Sequence, residues 1–458
     1  MTKRNTTLLV ALLACPACNA EKSLGEVGAD EVGADSVRED IDGFRAVVIT
    51  RGRAEPTGLA SAAPGDLNAD GFDDLVVAYA HGDSTSMCQF FGGPELFASL
   101  DESEADLCST LSHETQPQVL DWPIRPLSFG DLDGDSIADF GVWEGEFGRT
   151  MQLRVFSGGP QGAFESGEPP LNLGLPADGV SAPLQPADID GDGLLDFITP
   201  LQGDDVPFAV VGIGGDALIA AAAGDQRQPP PSKTLAIADE YFHFDAGVLG
   251  NSPAGSLVGY HSPDGGPFVV RGTPDRFDAS VEPEVLSELV APASSIRFGT
   301  MVDWDCDGRD EIVSPIRNQG GTLNFFDGSE DPEGVPQTSV LTLDVPNSIQ
   351  GTFSVGDVDG DGCEDLLVET VRDGYLGLVL VYGGEQPATG GEVPLTSHGT
   401  AWFDRGAIKP AGDINGDGYG DVIVAISGNL SQESLLSGEV LDEGDPTERL
   451  ILMYGEPR

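Results

Sequence analysis

The sequence is poor in positive charge. Its 458 residues contain 22 lysines and arginines against 77 aspartates and glutamates, which gives a formal net charge of −55 at pH 7. Binding to nucleic acid requires basic side chains that neutralise the phosphate backbone, and adsorption to anionic lipid headgroups requires basic clusters. The composition therefore excludes a nucleic-acid partner and direct electrostatic attachment to a membrane.

Long hydrophobic runs are also absent, and no segment is apolar enough to cross a membrane as a permanent helix. A short apolar run at residues 8–14 ends in Leu12-Leu13-Ala14-Cys15, which resembles a bacterial lipobox. This predicts a signal peptide over residues 1–18 with lipidation of Cys15. The alternative is ordinary signal-peptide cleavage after Ala20. Both predict an exported chain, either lipid-anchored in the outer membrane or at the cell surface, or else periplasmic or secreted.

The composition changes after the targeting segment. Residues 19–42 are acidic and nearly free of aromatic side chains, so they are predicted to form a disordered tether. The chain as a whole is 40% apolar, which is enough for residues 43–458 to bury a core. Its 62 glycines and 33 prolines disfavour long helices. Short strands joined by turns are therefore expected.

A nine-residue acidic pattern recurs six times within residues 43–458. Acids or amides occupy positions 1, 3 and 5, glycine usually occupies position 6, and an acid at position 9 precedes an apolar run; the copies begin at Asp66, Asp131, Asp188, Asp303, Asp357 and Asp413. They lie 54 to 65 residues apart, except for one gap of 115 residues. A copy without acids, beginning at Val248, divides that gap into 60 and 55 residues. Numbered along the chain, these segments are the first to seventh loops, and the loop at Val248 is the fourth.

Each unit also carries the signature of about four short strands. One apolar run follows the loop and a later one ends in glycine, as in Phe90-Phe91-Gly92-Gly93 and Val381-Tyr382-Gly383-Gly384. Seven such units predict an all-β fold, a seven-bladed β-propeller. The ordered chain is expected to begin with the strand Phe44–Thr50 and to end with the strand Leu450–Tyr454. The N-terminal strand should then close the last blade, which removes an exposed sheet edge.

In these features the sequence resembles the FG-GAP (VCBS) repeats of integrin α-subunit propellers and their bacterial relatives. The resemblance covers residues 43–458 and depends on the six loops, on Phe-Gly openings such as Phe129-Gly130, and on the glycine-terminated strands. It implies a propeller that binds a partner on one rim of the ring.

The loops are predicted to bind calcium. About four carboxylates within a few ångströms repel one another unless a cation lies among them, and oxygen donors without a His or Cys ligand pattern favour calcium. Position 7 would donate only its backbone carbonyl. Up to six ions are expected, with the ligands Asp66, Asn68, Asp70, Phe72 and Asp74; Asp131, Asp133, Asp135, Ile137 and Asp139; Asp188, Asp190, Asp192, Leu194 and Asp196; Asp303, Asp305, Asp307, Arg309 and Glu311; Asp357, Asp359, Asp361, Cys363 and Asp365; and Asp413, Asn415, Asp417, Tyr419 and Asp421.

The loop pattern has two other possible interpretations. An EF-hand needs a glutamate at position 12 and flanking helices, whereas position 12 lies here in β-type runs and is, for example, Val77 or Val368. EF-hands are therefore excluded. Acidic solvated turns without metal are the second alternative.

Position 6 is predicted to adopt a left-handed backbone, which glycine favours, and Ser136 replaces that glycine in the second loop at a cost of about 1 kcal/mol. Asn68 and Asn415 each remove one charge and Glu311 replaces the last aspartate of the fifth loop, so weaker binding is predicted at those sites.

Four cysteines remain after the signal region. Cys88 and Cys108 are expected on the third and fourth strands of the first unit, and Cys306 and Cys363 lie in loops of neighbouring units. An exported chain favours a disulfide within each pair, and free buried thiols are the alternative.

The sequence offers no catalytic motif. His113-Glu114 is not continued to a second zinc-binding histidine, and neither a Gly-x-Ser-x-Gly elbow nor a phosphate-binding P-loop occurs. The preferred function is a calcium-stabilised binding or adhesion module at the cell surface, a monomer whose partner is a protein or polysaccharide and whose membrane contact is the lipid anchor. The alternatives are a hydrolase or lyase acting on polysaccharide and a structural subunit of an envelope assembly.

Overall fold

The described part of the protein is all-β. The computed structural model describes residues 35–41, 44–52, 59–81, 84–112, 125–144, 151–164, 171–175, 185–188, 196–201, 209–213, 233–236, 241–247, 255–261, 267–271, 284–285, 300–316, 322–326, 341–344, 348–372, 375–384, 392–394, 408–428 and 447–457. Within these ranges the helical content is one 3-10 turn, Glu102–Glu104. No helix there is long and apolar enough to cross a membrane.

Twenty-nine strands make up the described structure. In chain order they are β1 (Asp35–Ile41), β2 (Phe44–Gly52), β3 (Leu59–Gly65), β4 (Asp74–His81), β5 (Ser84–Phe90), β6 (Leu107–Ser112), β7 (Arg125–Gly130), β8 (Asp139–Glu144), β9 (Met151–Phe156), β10 (Leu171–Leu175), β11 (Gln185–Ala187), β12 (Asp196–Leu201), β13 (Ala209–Ile213), β14 (Lys233–Ala236), β15 (Tyr241–Gly247), β16 (Ser256–His261), β17 (Pro267–Arg271), β18 (Glu284–Val285), β19 (Thr300–Val302), β20 (Glu311–Ile316), β21 (Thr322–Phe326), β22 (Leu341–Asp344), β23 (Ser348–Gly356), β24 (Asp365–Arg372), β25 (Tyr375–Val381), β26 (Glu392–Pro394), β27 (Ile408–Gly412), β28 (Asp421–Gly428) and β29 (Thr447–Met453).

These strands form seven sheets. From the first to the seventh, the strand orders are β3-β4-β5-β6, β10-β9-β8-β7, β11-β12-β13-β14, β15-β16-β17-β18, β19-β20-β21-β22-β26, β23-β24-β25 and β1-β2-β29-β28-β27. Along the chain, each of the seven loops lies between two consecutive strands that pair within one sheet. The repeat spacing in the sequence therefore corresponds to one small sheet per unit.

A glycine in the left-handed region ends the first strand before several loops. Gly130 (φ 65°) and Gly412 (φ 71°) lie at register shifts in the β7–β8 and β27–β28 pairs. Such a bulge bends the strand, and glycine adopts the required backbone without steric cost. This bulge explains why a glycine directly precedes the first aspartate of these loops.

The hydrophobic core lies between neighbouring sheets. One buried cluster joins the first and second sheets through Leu67, Val76, Met87 and Phe140, and another joins the fifth and sixth sheets. A third cluster joins the first sheet to the seventh. The alternating apolar residues of the central strands therefore pack against the sheet on either side.

The first and seventh sheets are adjacent, and the N-terminal strand belongs to the seventh. Strand β2 pairs with β29 over seven residue pairs, from Ala46 opposite Met453 to Gly52 opposite Thr447. Strand β1 then pairs with β2. This corrects part of the predicted tether, because residues 35–41 form an edge strand. The composition of residues 35–41 does not predict a strand. They form one because their backbone pairs with β2 at the edge of an existing sheet.

The fifth and sixth sheets depart from the four-strand pattern. Strand β26 pairs in parallel with β22 of the fifth sheet, although it follows the sixth sheet in the chain, and the sixth sheet consists of three described strands. Every other strand pair in the described ranges is antiparallel.

Candidate metal centre

In the five loops that are described throughout, the first acid organises the loop backbone. Asp66 accepts hydrogen bonds from the backbone N–H groups of Asp70 (3.1 Å) and Gly71 (2.7 Å). The bond from the position-6 N–H recurs in every other loop described throughout, with the donors Ser136, Gly308, Gly362 and Gly418. The acids at positions 3 and 5 accept similar short-range bonds, as at Asp359 and Asp361. The side chains therefore converge on the inside of the loop.

Two positions have a left-handed backbone in each of the five loops that the structure describes throughout. Position 6 was predicted to do so, and Gly71 has φ 93° while Ser136 has φ 69°. Position 4 was not predicted, yet Ala69 (φ 62°), Gly134 (φ 81°) and Cys306 (φ 61°) all adopt this conformation. Glycine at position 4 of the second, third, sixth and seventh loops was a usable signal, but Ala69 and Cys306 interrupt the pattern in the first and fifth loops.

The acid at position 9 is buried and holds two backbone segments together. Asp74, fully buried, accepts one hydrogen bond from Leu67 N–H at position 2 (2.7 Å) and another from Gly92 N–H at the end of the third strand (2.8 Å). The same pair of bonds is made by Asp139, Asp365 and Asp421. The position-9 acid therefore fixes its loop to the end of the third strand of the same sheet.

The glycine that ends the third strand is required by close packing. A Cβ on Gly92 would lie 2.6 Å from the carbonyl oxygen of Ile414 and would also collide with the carbonyl of Asp73. Gly158, Gly383 and Gly455 are enclosed in the same way by carbonyl groups of two loops. The next residue donates its N–H to position 2 of the preceding loop, as in Gly93 to Ile414 (2.9 Å).

Neighbouring loops are joined by a second repeated bond. The position-8 N–H donates to the position-1 carbonyl of the preceding loop: Ala138 to Asp66, Gly255 to Asp188, Glu364 to Asp303, Gly420 to Asp357, and Asp73 to Asp413. Gly255 is position 8 when the fourth loop begins at Val248, so this bond agrees with the predicted alignment of the acid-free loop. The bond from Asp73 to Asp413 connects the first loop to the seventh.

Acidic side chains at position 8 strengthen some of these junctions and were missed in the sequence. Asp73 accepts a hydrogen bond from Asp413 N–H (2.7 Å), and Glu364 accepts one from Asp303 N–H (3.3 Å) and another from the Ser354 hydroxyl (3.0 Å). In the sequence these side chains can be recognised as an acid at position 8, directly before the acid at position 9.

Three loops bring acids close enough to share a metal ion. Each of the groups Asp131-Asp133-Asp139, Asp303-Asp305-Glu311 and Asp357-Asp359-Asp361 places one oxygen per residue within 4.8 Å of the others. One carboxylate oxygen of Asp303, Oδ1, is buried and has no hydrogen-bond partner among the described residues. A buried carboxylate oxygen without a donor is costly, and a hard cation would satisfy it. The donor set therefore fits calcium.

Burial changes the acidity of the position-9 carboxyl groups. It raises the pKa of Asp74 and Asp139 to about 7 and that of Asp421 to about 8, and the two backbone N–H donors offset only part of this effect. The nearby loop acids add repulsion in the same direction. A cation in the loop would favour the ionised form and oppose both effects.

The calcium-free protein should lose stability as the pH rises from about 4 to about 8. In this window the unfolded chain has ionised these acids, whose ordinary pKa is 3.8, while the folded chain keeps Asp74, Asp139 and Asp421 protonated. The folded state then binds more protons, and its free energy of unfolding falls with pH. Urea unfolding in chelator should give a higher midpoint at pH 5 than at pH 8. Asp421→Asn should reduce this difference, and equal midpoints for the unsubstituted protein would contradict the assignment.

The structure describes most, but not all, of the predicted ligands. The first, second, fifth, sixth and seventh loops are described throughout. In the second, fifth and sixth loops three acids lie within 4.8 Å of one another. The described acids of the first and seventh loops form no such group of three, and in these two loops an asparagine, Asn68 or Asn415, replaces the acid at position 3.

In the third loop Asp190, Asp192 and Leu194 lie outside the described residues, and Asp196 is described only as part of β12. Cys15 also lies outside, so lipidation stays a prediction.

Both expected cysteine pairs are cross-linked in the structure. Cys88 and Cys108 lie directly opposite each other on β5 and β6, with their Cα atoms 4.1 Å apart. Cys306 and Cys363 join the fifth and sixth loops, with a Cα–Cα distance of 4.6 Å. Disulfides form and persist in oxidising compartments, which favours an exported protein.

Comparison with known proteins identifies the repeat. Residues 59–92 match the model of the FG-GAP repeat; the match begins at β3 and ends at Gly92. No curated protein matches the chain. Among solved structures, the chain is similar to the crystal structure of exotype rhamnogalacturonan lyase YesX, with 13% sequence identity and a TM-score of 0.44, over 98% of this chain and 75% of the lyase chain. The chain thus contains an FG-GAP repeat, and this repeat together with the seven small sheets fits a β-propeller.

Proposed function

We propose that the protein is an exported, calcium-stabilised β-propeller of seven blades that serves as a binding or adhesion module at the cell surface. The observation that carries this proposal is the loop network. The loop acids accept backbone N–H bonds, and backbone bonds join each described loop to its neighbour, so the acids are engaged in holding a scaffold. Acids used in this way suit structural metal sites better than acid–base catalysis.

Closure of the ring is supported by contacts between the first and seventh sheets. Strand β2 completes the seventh sheet beside β29. Asp73 and Gly93 of the first unit bond to Asp413 and Ile414 of the seventh loop, and Lys409 Nζ donates to the carbonyl of Ser61 (2.8 Å). These are the contacts that a closed ring requires at its seam.

Calcium would be held by the acids at positions 1, 3, 5 and 9 of six loops and by the position-7 carbonyl. When bound, it supplies positive charge that neutralises clustered carboxylates. The chain's own part is to hold those carboxylates in place through the backbone bonds at positions 2, 5, 6 and 7. The fourth loop lacks the acids and is expected to bind no ion.

The proposed location follows from the N-terminal sequence and the disulfides. Lipidation of Cys15 would anchor the chain, and the acidic residues that follow would hold the propeller away from the membrane. Mass spectrometry of the protein from its native envelope tests this directly: a diacylglyceryl-modified Cys15 supports the anchor, and a mature chain beginning at Glu21 contradicts it.

The binding function predicts calcium-dependent capture of a surface ligand. Immobilised propeller should retain an envelope protein or a polysaccharide in millimolar calcium and release it in chelator, because chelation loosens the loops. A matched column carrying Asp357→Ala/Asp361→Ala, which disables the sixth loop, should retain less of the same ligand. Release of shortened or unsaturated oligosaccharides from the polysaccharide would contradict the binding role and favour a hydrolase or lyase.

A further inference from the structure

The same side-chain contact joins the sixth loop to the seventh and the seventh loop to the first. The position-7 side chain of one loop lies over the position-4 residue of the preceding loop. A Cβ on Gly360 would be 2.7 Å from the Tyr419 ring, and a Cβ on Gly416 would be 2.8 Å from the Phe72 ring. Glycine at position 4 thus makes room for the aromatic ring that packs over it.

Between the fifth and sixth loops a disulfide takes the place of this contact. Cys306 occupies position 4 of the fifth loop and Cys363 occupies position 7 of the sixth. Cys306 keeps the left-handed backbone (φ 61°) that glycine has in the sixth and seventh loops. That conformation is disfavoured for cysteine. Ala69 adopts it at the same position of the first loop without a covalent bond (φ 62°), so in the fifth loop the disulfide adds a restraint to a backbone that is costly for any residue with a side chain.

The disulfide is attached to both metal sites. Cys306 stands between the predicted ligands Asp305 and Asp307, and the carbonyl of Cys363 is itself a predicted ligand. The N–H of Cys363 donates to Asp361 Oδ1 (3.0 Å), and the next residue, Glu364, donates its N–H to the carbonyl of Asp303 (2.9 Å). One covalent bond therefore restrains ligand-bearing segments of two loops.

We propose that the Cys306–Cys363 disulfide positions the fifth and sixth loops for calcium, so that the calcium affinity of these two sites depends on thiol oxidation. The proposal rests on the proposed function. A disulfide that already restrains the two loops lowers the conformational entropy that they would lose when calcium binds, so less of the binding free energy is spent on ordering them. When a dithiol such as dithiothreitol reduces the bond, each sulfur gains an electron and a proton and the dithiol becomes a cyclic disulfide. The affinity should then fall by about tenfold.

The test uses Tb³⁺ luminescence excited through tryptophan. Trp304 lies at position 2 of the fifth loop, between Asp303 and Asp305, so the signal lost in a Trp304→Phe protein reports this loop. The full chain is titrated as the oxidised protein, as Cys306→Ser/Cys363→Ser, and as Cys306→Gly/Cys363→Tyr, which recreates the Gly360–Tyr419 pair without a covalent bond. We expect about tenfold weaker binding in the serine variant and recovery of most of it in the glycine–tyrosine variant.

A second disulfide serves as the matched control. Cys88→Ser/Cys108→Ser removes the bond between β5 and β6 and should melt at a lower temperature with unchanged Tb³⁺ affinity at Trp304. In this background, dithiothreitol reduces only the Cys306–Cys363 bond and should weaken binding by the same factor. Equal affinity of the oxidised protein and the serine variant would overturn the positioning role while leaving the calcium sites intact. Absence of Tb³⁺ and Ca²⁺ binding in the oxidised protein would overturn the proposed function, and with it this proposal.

Discussion

Removal of calcium should lower the melting temperature by at least about 10 °C. Each site that is filled at a hundred times its dissociation constant stabilises the folded state by about 2.7 kcal/mol, and six loops carry the acids for such a site. Positions 1, 3, 5 and 9 of these loops supply 22 of the 77 acidic residues. Without cations the carboxylates within each loop repel one another, and this repulsion lowers the free energy of unfolding.

Differential scanning calorimetry at constant ionic strength measures this effect. The protein is compared in excess calcium, in excess magnesium and in chelator. Magnesium should restore only part of the melting temperature, because it prefers a smaller octahedral shell and retains its waters. Asp357→Ala/Asp361→Ala should lose part of the calcium-dependent increase and keep the rest. One melting temperature under all three conditions would show that the loops are acidic turns without metal.

Gly92→Ala should destabilise the protein by about 3 kcal/mol. The new Cβ would lie 2.6 Å from the Ile414 carbonyl and would collide with the Asp73 carbonyl, and both belong to loop backbone that has little room to move. Displacement of Gly92 would also weaken the bond from its N–H to the buried Asp74 carboxylate (2.8 Å).

The adjacent residue supplies the control for this substitution. A Cβ on Gly93 would meet nothing within 4 Å, so Gly93→Ala should change the free energy of unfolding by less than about 0.5 kcal/mol. Urea unfolding in calcium compares the two variants. Similar effects of the two substitutions would mean that the collision between neighbouring units is not what requires glycine here.

Much of the loop structure could be predicted because its causes are local. The spacing of Asp131, Asp133 and Asp139 and the apolar run that follows predict a hairpin loop, and the structure brings these acids together. The placement of the acid-free loop at Val248 also agrees with the structure, because Gly255 makes the bond expected of position 8. The cysteine pairs followed from the same alignment of units.

Other features depend on contacts between units, which a single sequence does not display. The left-handed backbone at position 4 was missed because Ala69 and Cys306 stand where other loops have glycine. The role of Gly92 is set by the carbonyl of Ile414, more than 300 residues away in the chain. The pairing of β26 with β22 and the addition of β1 to β2 likewise arise from sheet edges that become available only in the folded chain.

The most direct test of a calcium-binding propeller is a crystal structure obtained in millimolar calcium, with the anomalous signal of calcium recorded. We predict one ion within each of the loops that begin at Asp66, Asp131, Asp188, Asp303, Asp357 and Asp413, and none in the loop that begins at Val248. Loops that contain only water in such crystals would contradict the account.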